Sequence, residues 1–146
     1  MIWSDTFIGC KSLKSARLPD GLVEICFRAF RESGLESIAI PPSVRVIHQS
    51  AFCGCRNLKK VTLNEGLEVL GTNKYPSGYG RWCGVFDGSA LEHIDLPLTL
   101  KRIEYNVFRD CRELRRVKLP DGLEYIGKHS FAGTGLESVK FPASLR

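Results

Sequence analysis

The 146-residue sequence predicts an α/β repeat solenoid, and three regularities carry that reading. Phenylalanine recurs in one context at Phe7, Phe30, Phe52, Phe86, Phe108 and Phe131, with spacings of 22 or 23 residues apart from one of 34. A leucine follows each Phe five or six residues later and opens the pattern L-x-x-[AVI]-x-[LIF], from Leu13/Ala16/Leu18 to Leu136/Val139/Phe141. Proline follows that pattern in five of six units. A unit this short cannot bury its own apolar face, so it folds by stacking on copies of itself, with each Leu, Ile and Phe column becoming a spine.

Each part of the unit has a local reason. Alternation in L-x-x-V-x-L turns Leu and Val inward and the intervening residues outward, which suits a short strand in a parallel sheet. The following Pro has no N–H to donate and ends the ladder. A second apolar pair comes next, Leu22/Ile25, Val44/Ile47, Leu67/Leu70, Leu100/Ile103 and Leu123/Ile126, and the chain then returns to the Phe. Units alternate in type. Odd units carry Cys10, Cys55 and Cys111 three residues after the Phe, while even units are one residue shorter there and carry Ser33, Ser89 and Thr134. This swap points to a small buried turn side chain whose hydroxyl bonds nearby backbone. Charge alternates as well: Lys14, Glu36, Lys59, Glu92, Arg115, Glu137 form one column, and Arg45, Glu68, Lys101, Glu124, Arg146 run in the opposite phase. Strands about 4.8 Å apart set opposite charges side by side, fixing register more than stability.

The whole chain, 1–146, reads as one domain of six units with incomplete terminal units. The long spacing between Phe52 and Phe86 contains eleven extra residues within 71–85, expected to form an irregular surface loop opposite the sheet. Tyr75, Tyr79 and Trp82 in it suit recognition, and the alternative reading folds Tyr75 and Trp82 back as a cover over the solenoid flank. Because the sequence enters and leaves in mid-unit, it is expected to belong to a longer array or to associate end to end.

Composition excludes several classes. With 43% hydrophobic and 25% charged residues the chain is globular, and no apolar run is long enough to cross a bilayer. The start, Met1 to Cys10, lacks the pattern of a signal peptide. A net charge of +5 is spread through both signs, so nucleic acid or another polyanion is a minor option. The Cys column places like residues two coils apart, too far for disulfides, and Cys53-x-Cys55 has no second ligand pair at metal spacing. Cys26 and Cys83 fall outside the column, and Cys83 is expected to be the exposed, reactive thiol. His48 and His129 precede Phe positions and are expected at the surface, and His93 is expected to point out from the sheet beside Asp95. No nucleophile, phosphate-loop or metalloprotease motif occurs, so neither catalysis nor a cofactor is expected.

Outward sheet positions then supply the candidate site: Arg17, Lys60, His93, Asp95, Arg116 and Lys118, joined by Tyr75, Tyr79 and Trp82 if the insertion recognises anything. A rigid, basic face suits an acidic protein patch. The rival reading is a structural spacer without a ligand of its own.

The unit A-F-x-x-C-x-x-L-x-x-V-x-L-P-x-G-L-x-x-I, seen across Ala51 to Leu70 and Val107 to Ile126, resembles the BspA-type, or Treponema-type, leucine-rich repeat family. The resemblance implies a curved right-handed solenoid with a parallel sheet on its concave side and little regular helix. It also implies a cell-surface or secreted, adhesin-like role, without transferring any binding residue.

Overall fold

The structure, a computed structural model, describes residues 1–72 and 83–146. The described residues contain nine short strands and no helix, and hence no helix long and apolar enough to cross a membrane. The strands are β1 (Glu24–Ile25), β2 (Ser37–Ile40), β3 (Val46–Ile47), β4 (Lys60–Leu63), β5 (Val69–Leu70), β6 (His93–Asp95), β7 (Arg102–Ile103), β8 (Arg116–Lys118) and β9 (Tyr125–Ile126). All pairs are parallel and join units one coil apart, which makes the chain a solenoid.

The expected sheet forms from L-x-x-V-x-L, but as two pairs, β2 with β4 and β6 with β8. Its alternation is the expected one: Ile38 and Ile94 are buried while Ser37, Ala39, His93 and Asp95 are exposed. The more continuous sheet is one that the sequence reading did not assign to strands. The second apolar pairs build a five-stranded ladder, β1-β3-β5-β7-β9, which Ile2 extends by a bridge to Ile25. Two residues per coil suffice because each strand repeats in strict register, Ile25 beside Ile47 and Leu70 beside Ile103.

A third backbone ladder runs beside the phenylalanines. The amides of Phe7, Phe30, Phe52, Phe86 and Phe108 donate to the next unit, on Ala29, Ala51, Val85, Val107 and Ser130, at 2.7–2.9 Å. This is achieved by left-handed residues on either side. Asp5, Arg28, Ser50, Asn106 and His129 have φ between 54° and 61° two residues before their Phe. Two residues after it stand Gly9, Glu32, Gly54, Gly88, Asp110 and Gly133, again with positive φ. The reversals point amides along the solenoid: Arg28 N–H bonds Gln49 and Glu32 N–H bonds Cys53, each in the following unit. Non-glycine residues are costly in this region, by about 1–2 kcal/mol, and Asp and Asn tolerate it best.

The core is one column. Phe30, Phe52, Phe86 and Phe108 are fully buried, and the six rings stack at 5.1–5.6 Å with planes within 14° of parallel. The stack passes from Phe52 to Phe86 at 5.5 Å across the insertion, so the spine is continuous there. On the return, Gly84 replaces the left-handed residue of other units, and a Cβ there would lie 1.7 Å from the carbonyl oxygen of Asn106.

The Cys/Ser column pairs as a hydrogen-bonded chain. The Cys55 thiol donates to the Phe30 carbonyl at 3.0 Å and lies 3.4 Å from Ser33 Oγ, and Cys111 does the same with Phe86 (3.1 Å) and Ser89 (3.3 Å). Burial raises both thiols, Cys111 to about 11. No disulfide joins any of the six cysteines. In the first charge column, Lys14 and Glu36 close an ion pair at 2.9 Å, which with Lys59 beyond holds the Glu36 carboxyl below its ordinary range. In the second, Arg45 meets Glu68 at 3.6 Å.

Candidate functional site

Strand alternation and parallel register assemble the candidate face. β4 contributes Lys60 and Thr62 outward, β6 contributes His93 and Asp95, and β8 contributes Arg116 and Lys118, all exposed. Pairing in register sets His93 beside Arg116 and Asp95 beside Lys118, while Lys60 stands beside Ser37 of β2. β4 packs against β6, so Lys60, His93 and Arg116 follow one another along a row. Inward Val61 and Ile94 are buried on the same strands, which leaves these side chains no freedom to exchange faces.

Arg17 does not join this group. It is exposed, but no strand forms in its Leu13/Ala16/Leu18 segment, and the Ser37/Ala39 pair of β2 separates it from Lys60. It lines instead an open groove of about 380 Å³ with Asp20, Ala39, Pro42 and Asn64. Tyr75, Tyr79 and Trp82 lie outside the described residues.

Two expectations are corrected. His48 is 1% exposed and not a surface residue, because the coil after Ile47 turns its ring between neighbouring units. There its Nε2 lies 3.0 Å from Glu24 Oε2 and its Nδ1 lies 2.6 Å from Thr72 Oγ1. Cys83 is half-buried and hydrogen-bonded to buried Cys53, and Cys10 is the exposed thiol. The contact with Cys53 lowers the Cys83 thiol and raises its partner. His129 and His93 are exposed as expected.

The constellation that the sequence reading missed is Glu24, Cys26 and His48, whose ligand-type atoms all lie within 4.8 Å of one another. Its signal was available in the repeat register. Cys26 and His48 each stand four residues before a Phe, and so face each other one coil apart.

The six-unit coil, with its Phe spine and paired Cys and Ser turns, can be set against known proteins. The family model described as "BspA type Leucine rich repeat region" matches in six copies over residues 1–77 and 83–146. The chain belongs to that family. Among solved structures, a leucine-rich repeat protein from Bacteroides ovatus is 33% identical, with a TM-score of 0.83 over 96% of this chain and 34% of its own. The T. pallidum leucine-rich repeat protein is 27% identical, with a TM-score of 0.69 over 88% of this chain and 58% of its own. A leucine-rich cell surface protein from Faecalibacterium prausnitzii is 27% identical, with a TM-score of 0.57 over 99% of this chain and 39% of its own. This BspA-type chain thus spans about a third of the B. ovatus protein. No curated protein matches it.

Proposed function

We propose that this BspA-type chain is a non-catalytic interaction module that binds an acidic protein surface through the outward face of β4, β6 and β8. The observation that supports this most directly is the Lys60, His93, Arg116 row, with Lys118 beside it, on strands fixed by buried neighbours. Cations held on a rigid sheet meet a partner's carboxylates without the ordering cost that a mobile loop incurs. Asp95 beside Lys118 breaks the positive field and supplies register against a partner of mixed sign. Cell-surface display and an adhesin-like role are part of the proposal, in line with the surface protein of F. prausnitzii.

The test is affinity capture from extract at physiological salt, with the wild-type chain, Arg116→Glu/Lys118→Glu, and a chain lacking the eleven inserted residues. Loss of a captured protein with the double reversal supports the sheet face, and undiminished capture rejects it. Loss with the deletion alone moves recognition to Tyr75, Tyr79 and Trp82. A second reading, a structural spacer in a longer array, is favoured by the short share of the B. ovatus protein that the chain spans, and predicts an empty capture. Polyanion binding predicts retention on an anionic column that falls steeply with salt.

A further inference from the structure

We infer that Glu24, Cys26 and His48 form a binding site for a divalent transition-metal ion of the zinc class, clamping two successive coils together. The site is made by register. β1 pairs β3 with Glu24 beside Val46 and Ile25 beside Ile47, so the next residues, Cys26 and His48, lie side by side across the two coils. Glu24 lies in β1 and Cys26 directly follows that strand, two residues on, so both share the side opposite buried Ile25. Thiolate, imidazole and carboxylate are the three donor types that zinc takes from proteins.

The distances fit a modest closure. With bonds of about 2.0–2.3 Å, the edges of a tetrahedral zinc site are roughly 3.3–3.8 Å. The three donor atoms here lie within 4.8 Å of one another, and Glu24 Oε2 is already 3.0 Å from His48 Nε2. Thr72 supplies the outer partner that a metal-bound imidazole takes. Without metal, Nε2–H donates to the Glu24 carboxylate, and Nδ1, 2.6 Å from Thr72 Oγ1, accepts the hydroxyl proton. With metal, Nε2 is the ligand and Nδ1–H donates to the same hydroxyl oxygen. Cys26 gives up its thiol proton to solvent, and His48 changes only its tautomer. One dication with one thiolate and one carboxylate is neutral, which makes its burial tolerable. Cys26 is 2% and His48 1% exposed, whereas the Glu24 side chain is 26% exposed, so the ion enters, and a fourth ligand water sits, on the Glu24 side.

The repeat gives a second reason. This column reads Trp3, Cys26, His48, Gly71, Glu104, Gly127, and Gly71 and Gly127 show that the coil needs no side chain there. Packing alone therefore does not call for a buried thiol facing a buried imidazole.

The experiment is titration of the reduced, metal-free chain with cobalt(II), followed by zinc. One equivalent of cobalt is expected to give a near-ultraviolet thiolate charge-transfer band with the intense visible bands of a tetrahedral site, both abolished by one equivalent of zinc. Cys26→Ser should remove the near-ultraviolet band, and Cys10→Ser/Cys53→Ser/Cys83→Ser should retain it. Thr72→Val keeps every ligand and should weaken zinc roughly tenfold or more. Should Cys26→Ser fail to fold, the Thr72→Val and triple-serine chains decide alone. No band in the wild-type chain, a band that survives Cys26→Ser, or one lost in the triple variant overturns the assignment.

Discussion

The phenylalanine spine makes a quantitative prediction that depends on position. Phe52 is fully buried and stacked on both faces, 5.3 Å from Phe30 and 5.5 Å from Phe86, whereas Phe7 is 36% exposed and stacks on Phe30 alone at 5.1 Å. Truncating a buried Phe to Ala costs about 3–5 kcal/mol, and each aromatic pair is worth about 0.5–1.5 kcal/mol beyond burial. With two pairs lost and no solvent already on the ring, Phe52→Ala should fall at the top of that range, about 4–5 kcal/mol. Phe7→Ala loses one pair and only about two thirds of the burial, which puts it near 2 kcal/mol. Equilibrium urea unfolding reads the difference. With a slope of about 2 kcal/mol/M, the midpoint should drop by roughly 2 M for Phe52→Ala and roughly 1 M for Phe7→Ala. Equal shifts at an unchanged slope would refute the reasoning, since stability would then not follow stacking in the column. A lower slope for Phe52→Ala alone would show instead that the halves on either side of the insertion unfold separately.

Other perturbations follow from the same geometry. Glu32→Gly relieves a left-handed backbone (φ 56°) and gives up only an exposed ion pair with Arg31, so thermal unfolding should show a gain of about 0.5–1 kcal/mol. Gly54→Ala, in the same column at φ 72° with a Cβ contact of 3.0 Å on the flexible Glu32 side chain, should lose about 1–2 kcal/mol. Gly84→Ala drives a methyl into the Asn106 carbonyl, which cannot give way as a side chain can, and should cost at least about 2 kcal/mol by urea melt. Burial lifts Cys111 from 9.0 to about 11, so the unfolded chain loses its thiol proton first as pH rises. Stability is therefore whole below pH 9 and declines between 9 and 11 by about 2–3 kcal/mol; Cys111→Ala should flatten that alkaline slope, and an unchanged slope would exclude Cys111 as its source.

The candidate face was legible because strand alternation has a period of two. Lys60, His93, Asp95, Arg116 and Lys118 could be placed outward by counting from Leu58, Leu91 and Leu114. Arg17 was misjoined to them, since counting gives the face of a residue and not its distance from the group. The buried cluster escaped because Glu24, Cys26 and His48 were read one at a time, and proximity to a Phe was taken as exposure for His48.

By itself, the sequence determined the period, the solenoid, the parallel sheet of Leu-led strands, the Phe spine and the alternating charge columns. All of these are repeats along the chain, and stacking converts repetition directly into neighbours. Only the tertiary structure decided the five-stranded second ladder, the left-handed residues around each Phe and the meeting of His48 with Glu24 and Thr72. The physical reason is the same for all three. A two-residue strand, a reversal carried by Arg28 or Glu32 and a three-residue cluster have no local propensity to announce them, and exist because the adjacent coil supplies the hydrogen-bond partner.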